Sequence, residues 1–247
     1  EYRNGKRWNG KGKEYNLHGI LEFEGEYLNG EKNEKGKEFY KNGNLKFEGE
    51  YLNGKKWNGI GYNINGNIEF KIKDGKGNIK EYYSDGKLLF DGQYKNGERN
   101  GHGKEYDYYY FKLEFEGEYK NGIRFNEEGK EYNYNSFLKF EGEYKNGKRN
   151  GKGKEYNYDG KLKYEGEYLN EKRNGNGKEY NYNGKLEFEG EYKNGERNGQ
   201  GKEYDIYYGK LVFEGEYKNG KRWTGKGKEY NNDGELIFEG EYLNGER

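Results

Sequence analysis

The side chains that most often carry catalysis are rare in this sequence and lie far apart along it. The 247 residues include two histidines, His18 and His102, and the hydroxyl nucleophiles other than tyrosine are Ser84, Ser136 and Thr224. None of these hydroxyls lies in a nucleophile-elbow motif or close in sequence to a histidine, as nucleophilic catalysis would need. We therefore expect both histidines to be surface residues and none of the five to be catalytic.

Carboxylates and glycine-rich stretches are frequent, but their settings also argue against an enzyme. A catalytic acid needs an environment that moves its pKa away from the pKa of its neighbours, whereas the glutamates here recur in the same local sequence. The recurring GKGK differs from a phosphate-binding loop because no strand and helix frame it. The absence of cysteine excludes disulfides and thiolate metal sites. The sequence predicts a chain that is not an enzyme and has no catalytic, cofactor or metal site.

Charge and composition narrow the possible partners. The 46 basic and 46 acidic residues give a net charge of zero, which leaves little counterion release to drive nucleic-acid binding. Aromatic residues make up 19% of the chain, with 30 tyrosines, so tyrosine rings can hold together a thin structure that lacks a deep aliphatic core. No apolar run approaches the length of a membrane helix, and no signal peptide is evident. We expect an intracellular protein, cytoplasmic or attached to a cytoskeletal or viral assembly, without a nucleic-acid partner or a small-molecule substrate.

One short sequence recurs along the chain. Over residues 140–162 the chain reads FEGEYKNGKRNGKGKEYNYDGKL, and nearly the same residues return over 164–186. A period of this length is the signature of a repeat array. We predict one continuous array over residues 1–247, with about ten units of 24–25 residues, both ends cut mid-repeat, and a degenerate short unit at 67–86. The tyrosine of the recurring GEY, or its equivalent, lies at Tyr2, Tyr27, Tyr51, Tyr94, Tyr119, Tyr144, Tyr168, Tyr192, Tyr217 and Tyr242.

Within a unit the side chains alternate with a period of two. In KLKYEGEY, Leu162, Tyr164, Gly166 and Tyr168 face one way, which is typical of a half-buried strand. The stretch KNGKRNG follows as a predicted turn, then a second strand KGKEYNY and a second turn at DG or NG. The sequence therefore predicts an all-β fold without helices, an elongated single-layer solenoid or meander of stacked antiparallel β-hairpins.

Glycines and charges in the predicted strands have their own roles. A strand glycine lets a neighbouring aromatic ring lie flat on the backbone, and Gly166 lies between two tyrosines of the inward face. Each unit has EGE on one strand and KGK on the next, such as Glu141 and Glu143 against Lys152 and Lys154. We expect these opposite charges to pair across the hairpin, with about 0.2–1 kcal/mol for each pair.

The motif YEGEY-x-NG-x-R-x-G-x-G resembles the MORN repeat (membrane occupation and recognition nexus). The longer unit, in which GKL leads into FEGEY, resembles a MORN variant of bacterial antitoxin-like proteins. The resemblance covers nearly the whole chain and implies an elongated, twisted single sheet of stacked hairpins. It also implies a non-catalytic structural or scaffolding protein that binds a protein partner or a second copy of itself. Phospholipid binding and antitoxin-like neutralisation of a partner are the alternatives that the family implies.

Aromatic residues inserted into the predicted turn are candidate partner-binding residues. Trp8, Trp57 and Trp223 follow KR or KK, and Phe125 has a similar position in IRFNEEG. They occupy one position of the repeat, so we expect them along one edge. Tryptophan is enriched in binding hot spots, but it is also an ordinary cover for an exposed edge, and both interpretations stay open.

Two further departures from the repeat have alternative explanations. The clusters DYYYF (107–111) and DIYY (205–208) replace the usual NYDG. Their rings could stack on bases or sugars, or could fill the space left by a lost glycine turn. The unit at 67–86 is either a tolerated deletion or a docking notch.

The predicted turns also group basic residues on one edge. Lys145, Lys148, Arg149, Lys221 and Arg222 belong to this set. Anionic lipids attract such clusters, with about 1 kcal/mol for each Lys or Arg near the surface. Peripheral binding to a phosphoinositide-containing membrane through this edge is therefore the main alternative to the scaffold role.

Overall fold

The computed structural model describes residues 2–3, 6–125, 128–231 and 233–246. Every regular element in these residues is a β-strand and none is a helix, which confirms the predicted all-β fold. The strands are β1 Tyr2–Arg3, β2 Lys6–Arg7, β3 Gly10–Tyr15, β4 Leu21–Leu28, β5 Glu31–Phe39, β6 Leu45–Leu52, β7 Lys55–Tyr62, β8 Ile68–Ile72, β9 Gly77–Tyr82, β10 Leu88–Lys95, β11 Glu98–Tyr106, β12 Leu113–Lys120, β13 Ile123–Arg124, β14 Glu128–Tyr132, β15 Leu138–Lys145, β16 Lys148–Tyr156, β17 Leu162–Leu169, β18 Lys172–Tyr180, β19 Leu186–Lys193, β20 Glu196–Tyr204, β21 Leu211–Lys218, β22 Lys221–Tyr230 and β23 Leu236–Tyr242.

The chain divides into two compact units, Glu1–Ile123 and Arg124–Arg247. In the first unit, β3 to β8 form a 6-stranded sheet in chain order, and β9 to β12 are also bonded in chain order. In the second unit, β14 to β23 follow chain order throughout. Neighbouring strands are antiparallel, as in β15 with β16 and β16 with β17. Each unit is therefore a meander of consecutive hairpins, and the continuity of one array over residues 1–247 stays a prediction.

The turn inside each hairpin, here called the first turn, is shorter than predicted. Between β15 and β16 it is Asn146-Gly147, with φ of 51° and 78°, a left-handed pair that suits the twist of a hairpin. β16 begins at Lys148, so KRNG belongs to the strand. The register then shifts between Gly142 and Tyr144, which leaves a bulge in β16. The prediction that all of KNGKRNG forms a turn is wrong, because Asn-Gly alone reverses the chain.

The turn between hairpins, here called the second turn, is held by the asparagine or aspartate that opens it. Asn181 Oδ1 accepts hydrogen bonds from the backbone N–H groups of Asn183 and Lys185, at 2.9 and 3.0 Å. Short polar side chains favour such turns because they bond to their own backbone. The residue after the asparagine, Tyr182, lies at the tip of this turn and is 79% exposed.

An aromatic ladder forms the core of each unit, and its rings are enclosed in a recurring way. Phe140 lies on the backbone of Gly142 and Gly153, where an added Cβ would be 2.9 and 2.5 Å from the ring. Tyr144 and Tyr168 meet the ring in T-shaped contacts, with centroids 5.8 and 5.2 Å away. The Phe140 ring is fully buried, which confirms the predicted role of strand glycines. The other buried aromatic residues in the described ranges are Phe23, Tyr27, Tyr40, Phe47, Tyr51, Phe70, Phe90, Phe115, Tyr119, Tyr164, Phe188, Tyr192, Phe213, Tyr217 and Tyr242.

The stretch at 67–86 contains β8 and β9, which belong to separate sheets and are joined by a tight turn with one bridge between Lys73 and Lys76. Its origin as a degenerate unit stays a prediction. Its strands β8 and β9 bury Ile72 and Ile79. The backbone carbonyl of Trp57 accepts a hydrogen bond from the N–H of Gly75 in the turn, at 2.9 Å. The Trp57 ring also lies where a Cβ on Gly75 would be 2.8 Å from it. The ring thus covers the shortened turn, which favours a tolerated deletion over a docking notch.

Gly153→Ala is expected to destabilise the fold through the Phe140 ring. The added methyl would lie 2.5 Å from Phe140 Cζ, and overpacking of this kind costs about 1–3 kcal/mol. Urea unfolding followed by circular dichroism measures the loss. Gly147→Ala is the control, since φ there is 78° and a Cβ would meet nothing within 4 Å, so its cost is that of left-handed backbone alone.

A smaller side chain at position 140 separates the cost of overpacking against the ring from the cost of changing the backbone. In a Phe140→Leu background, the loss of unfolding free energy caused by Gly153→Ala should shrink by more than half. The two side chains contact each other, so their effects on stability are coupled. The loss caused by Gly147→Ala should stay the same. Equal losses from Gly153→Ala in both backgrounds would contradict the enclosure of Phe140 by glycine backbone.

Candidate interaction surface

A glutamate, an arginine and a tyrosine meet beside the buried ring. Glu131 on β14 accepts hydrogen bonds from Arg149 Nε and Nη2 at 2.9 and 2.6 Å, and from the Tyr144 hydroxyl at 2.5 Å. The Arg149 guanidinium carbon lies 4.1 Å from the centroid of the Phe140 ring. Arg149 therefore covers the ring with a cation–π contact and also forms a two-bond pair with the carboxylate.

The same arrangement recurs and links each repeat of the second unit to the next. Arg173 pairs with Glu155 at 3.0 Å and also with Glu179, and Arg197 pairs with Glu179 at 2.6 Å. Carboxylate and guanidinium groups thus alternate beside the aromatic ladder. Other pairs at this position are Arg99 with Glu81, Arg222 with Glu203, Lys32 with Glu14, and Lys56 with Glu38.

Burial and pairing act in opposite directions on the pKa of these carboxyls. Burial alone would raise the pKa of Glu131, but the hydrogen bonds and charge of Arg149 outweigh it, so the pKa lies below its ordinary range. In the first unit, the charge and hydrogen bond of Lys56 likewise outweigh burial and lower the pKa of Glu38 to about 2. Cationic partners also lower the pKa against the effect of burial at Glu81, Glu155, Glu179 and Glu203.

Two residues of the predicted basic edge are not on a turn. Arg149 and Arg222 lie inside β16 and β22 with side chains 13% and 22% exposed, because their guanidinium groups bond half-buried glutamates. The prediction that both arginines stand in an exposed turn is therefore wrong. Lys145, Lys148 and Lys221 are exposed next to the first turns, and a binding role for this first-turn edge stays a prediction.

The three tryptophans of the predicted edge are half-buried, and the Trp57 and Trp223 rings lie 2.8 and 3.8 Å from where a Cβ on Gly75 and Gly245 of the following turns would be. The backbone carbonyls of Trp8, Trp57 and Trp223 each accept a hydrogen bond at 2.9 Å from a turn glycine of the next hairpin. Lys218 Nζ lies 4.3 Å from the centroid of the Trp223 ring. Phe125 is also half-buried. The contacts of the tryptophans favour packing, and a partner-binding role for the four residues stays a prediction.

Two of the tryptophans also change the pairing inside their own hairpins. In the hairpin that contains Trp223, Gly215 pairs with Gly225, the first glycine of GKG, whereas β15 pairs with the second glycine of GKG in β16. The hairpin that contains Trp57 shows the same change. Because the two glycines of GKG are two residues apart, every side chain stays on its own face of the sheet.

The face opposite the aromatic ladder carries alternating rows of lysine and glutamate from KGK and EGE, and we call it the outer charged face. Lys178 lies opposite Glu189 in register, with charged atoms 3.7 Å apart. Within the hairpin the predicted opposition of charges is found as register for Glu141 and Lys154, and the bulge after Gly142 takes Glu143 out of it. The ion pairs that the described residues form on this face join neighbouring hairpins instead of the two strands of one hairpin. They are Lys13 with Glu24, Lys37 with Glu48, Lys104 with Glu116, Lys178 with Glu189, Lys202 with Glu214, and Lys228 with Glu239.

In the first unit the outer charged face contains a groove of about 790 Å³. Strand glycines line it together with side chains of both signs, among them Lys11, Lys35 and Glu26. The groove therefore brings side chains of both charges together across the strands β3 to β7.

The second turns of the second unit present a row of exposed rings, which we call the tyrosine edge. It consists of Tyr134, Tyr158, Tyr182 and Tyr207, which are 52%, 74%, 79% and 72% exposed. The Tyr134 and Tyr158 rings lie 6.3 Å apart and are tilted by 48°. The sequence interpretation missed this row because it placed NY in the second strand, whereas β16 ends at Tyr156. The available signal was a tyrosine directly after the asparagine that opens the turn at Tyr134, Tyr158 and Tyr182, whereas Tyr207 follows Asp205 by two residues.

The residues considered for catalysis do not come together. His18 lies in the turn after β3, and His102 lies on β11 with Nε2 3.6 Å from a Glu116 oxygen. In the described ranges, no group of three His, Cys, Asp or Glu side chains could hold a metal ion. The described residues also form no helix with the length and apolar character needed to cross a membrane. The prediction that the chain is not an enzyme stays a prediction.

The sequence matches the family model of the MORN repeat at six places. Together the matched residues make up just over half of the 247. The chain therefore belongs to the MORN-repeat family, which confirms the resemblance drawn from its motif. No curated protein matches it. The matched residues are 23–45, 90–108, 140–161, 164–185, 188–205 and 213–235.

Solved structures show only a weak likeness to the chain. The crystal structures of TcdB2-TccC3-TEV and TcdB2-TccC3-Cdc42 are 13% and 12% identical over 94% and 92% of this chain, each with a TM-score of 0.20. A Tc holotoxin pore of Photorhabdus luminescens is 10% identical over 96% of the chain, with a TM-score of 0.17. The chain spans 14%, 14% and 17% of the lengths of those chains. At these TM-scores the likeness carries no argument.

Arg149→Ala is expected to lower the free energy of unfolding by about 1–3 kcal/mol, since it removes the guanidinium group that makes two hydrogen bonds to the half-buried Glu131 carboxylate. It also uncovers the Phe140 ring. The exposed neighbour provides a matched control, because Lys148→Ala should change the stability by less than about 0.5 kcal/mol. Urea unfolding of both variants measures the difference, and equal losses would contradict the structural role of the guanidinium group.

The lowered carboxyl pKa values predict sensitivity to acid. A glutamate whose folded pKa lies below its unfolded value of about 4.3 stabilises the fold above that pH and loses this contribution as the pH falls toward the folded pKa. For Glu38, the folded pKa is about 2. The thermal midpoint, followed by circular dichroism, should therefore fall from about pH 4.3 down to about pH 2.

A lysine variant assigns part of this acid dependence to one pair. Lys56→Met removes the cation that lowers the Glu38 pKa, so the thermal midpoint of the variant should depend less on pH in the same window. Lys35→Met, which removes an exposed lysine from the outer charged face, is the control and should keep the original dependence. An unchanged acid profile in Lys56→Met would contradict the assignment.

Proposed function

We propose that this MORN-repeat chain is a non-catalytic scaffold that binds protein partners or further copies of itself through its outer charged face. The observation that carries the proposal is the regular alternation of lysine and glutamate rows on neighbouring strands. Such rows lie about 4.8 Å apart. A partner with regularly spaced charges can therefore make many equivalent contacts, none of which depends on one special residue.

Self-association is the form of this role that the charge pattern supports best. A face of alternating rows is complementary to a second copy displaced by one strand, because each lysine row then meets a glutamate row. The net charge of zero also removes general repulsion between copies. Lys152 and Lys154 on β16 lie opposite Glu167 and Glu165 on β17, and form two neighbouring rows of this kind.

The double variant Lys152→Glu/Lys154→Glu should weaken self-association at least about tenfold, because it places glutamates where a second copy would present glutamates. Sedimentation velocity over a range of protein concentrations at low salt measures the association. High salt should weaken association of the unaltered chain, since it screens exposed charges. Lys145→Glu/Lys193→Glu makes the same charge change at the first-turn edge and is the matched control.

A complementary variant tests the contact between rows directly. Glu165→Lys/Glu167→Lys should also associate poorly with itself, but it should bind Lys152→Glu/Lys154→Glu in an equimolar mixture. Equal weakening by the first-turn control would assign the effect to net charge and not to the face. A monomer at every concentration and salt would overturn self-association.

A membrane surface is the second candidate, and one observation favours it. The first-turn edge carries exposed leucines, Leu169 and Leu243, at positions equivalent to the exposed Lys145. Apolar and basic side chains together suit the interface of an anionic bilayer. Co-sedimentation with phosphoinositide vesicles at physiological salt, lost in Lys145→Gln/Lys148→Gln, would support this candidate in place of the scaffold. The antitoxin-like role stays a prediction.

A further inference from the structure

An asparagine, a glutamate and a lysine meet in the first unit, where the sheet is interrupted between β8 and β9. Glu69 on β8 accepts a hydrogen bond from Asn63 Nδ2 at 2.8 Å on one carboxylate oxygen, and from Lys80 Nζ at 3.2 Å on the other. Asn63 directly follows β7, and Lys80 lies on β9. One carboxylate therefore holds an amide and an amine that come from the two sides of β8.

The oxygen of the Asn63 amide is also held by two donors. Oδ1 accepts hydrogen bonds from the backbone N–H groups of Asn65 and Asn67, each at 3.0 Å. Such donors stabilise the negative charge that this oxygen would gain if a nucleophile added to Cγ, as the donors of an oxyanion hole do. The same bonds identify which end of the amide is the oxygen, so Nδ2 is the atom that faces Glu69.

Glu69 is placed to carry protons between the two nitrogens. Burial alone would raise the pKa of Glu69, but the hydrogen bonds of Asn63 and Lys80 outweigh it, so the pKa lies below its ordinary range. The carboxylate is thus ionised at neutral pH. It contacts both the ammonium group that would lose a proton and the amide nitrogen that would gain one. Holding these groups together in one folded chain replaces an encounter in solution.

We propose that Lys80 and Asn63 become joined by an intramolecular isopeptide bond, which forms once in each chain with Glu69 as the proton carrier. Glu69 takes a proton from the Lys80 ammonium group, and the neutral Nζ attacks Asn63 Cγ. Glu69 then gives this proton to Nδ2, the Cγ–Nδ2 bond breaks, and ammonia leaves with the second proton of Nζ as an ammonium ion. One amide replaces another, so the reaction needs no oxidant, reductant or second substrate.

The position of this bond gives it a structural role. Among the described residues, the backbones of β8 and β9 share only the bridge between Lys73 and Lys76, and the two strands belong to separate sheets. A bond from the end of β7 to β9 would cross this interruption with a covalent link where a ladder of hydrogen bonds is missing. The proposal concerns the integrity of the first unit and does not rest on the scaffold role.

An ordinary ion pair of the same unit provides the comparison. Lys37 on β5 pairs with Glu48 on β6 at 2.9 Å. No asparagine amide bonds to Glu48 among the described residues, so this lysine has a carboxylate beside it but no carbonyl carbon to attack. Lys37→Arg is therefore the matched control for Lys80→Arg.

Mass spectrometry of the full 247-residue chain tests the proposal. The denatured chain should be lighter than its sequence by one ammonia, about 17 Da. Trypsin should release residues 57–71 joined to residues 77–87, uncut after Lys80. Lys80→Arg keeps a cation beside Glu69 but removes the amine, and should abolish the joined peptide. Glu69→Gln keeps the size of the side chain but removes the proton carrier, and should lower the joined fraction at least about tenfold.

A second reaction that loses ammonia must be distinguished from this one. The frequent Asn-Gly pairs of the chain can close to succinimides, which hydroxylamine cleaves, whereas an isopeptide bond resists it. The mass deficit and the joined peptide should therefore survive hydroxylamine. Lys37→Arg should keep both, and circular dichroism checks that each variant is folded.

Several outcomes would overturn the proposal. One is an unaltered mass after prolonged incubation of the folded chain. Another is a deficit that hydroxylamine removes or that Lys80→Arg retains, and a third is loss of the joined peptide in Lys37→Arg. Lys152→Glu/Lys154→Glu should keep the joined peptide whatever its self-association, so failure of the isopeptide bond and failure of the outer charged face are distinguishable.

Discussion

Burying an aromatic ring in a sheet that has no second layer is the constraint on which the rest of this structure depends. Among the described residues of its unit Phe140 has no opposing sheet or helix, so neighbouring strands supply its enclosure: glycine backbone, two tyrosine edges and one guanidinium group. Each part creates a further requirement. The guanidinium needs a carboxylate as its partner, and this carboxylate also accepts a hydrogen bond from the hydroxyl of the adjacent tyrosine. The recurrence of Phe, Gly, Tyr, Arg and Glu in the repeat follows from this single enclosure.

Charged residues therefore have different tasks on the two faces of each unit. On the inner face, Arg149 and Glu131 are largely withdrawn from water and committed to the fold. On the outer charged face, pairs such as Lys228 with Glu239 are exposed, and pairs of this kind contribute little to stability. Their regularity thus needs another explanation than folding. Recognition by a regular partner provides one, because the rows stay accessible and cost little to rearrange.

The sequence predicts the strands and the glycine contacts because each depends on local alternation, which repetition makes easy to see. It predicts charges of opposite sign on facing strands, but not that the ion pairs join neighbouring hairpins. It does not predict the position of Arg149, since this depends on how few residues the Asn146-Gly147 turn needs and on the bulge that follows. The tyrosine edge was missed for a related reason. A pattern of period two continues through Tyr158, but the strand ends two residues earlier, at Tyr156. Alternation identifies faces well and locates the ends of strands poorly.

The shifted pairing in the tryptophan hairpins has a consequence for the history of the repeat. β22 has one residue more than β16, yet it meets the next hairpin in the same way: Gly225 pairs with Tyr242 as Gly151 pairs with Tyr168. A length change is thus absorbed inside the hairpin and does not reach the junction. Units of different length can then be duplicated, lost or exchanged by unequal recombination, and each product still joins its neighbours. The number of repeats encoded by such a gene can therefore change while the protein keeps its fold.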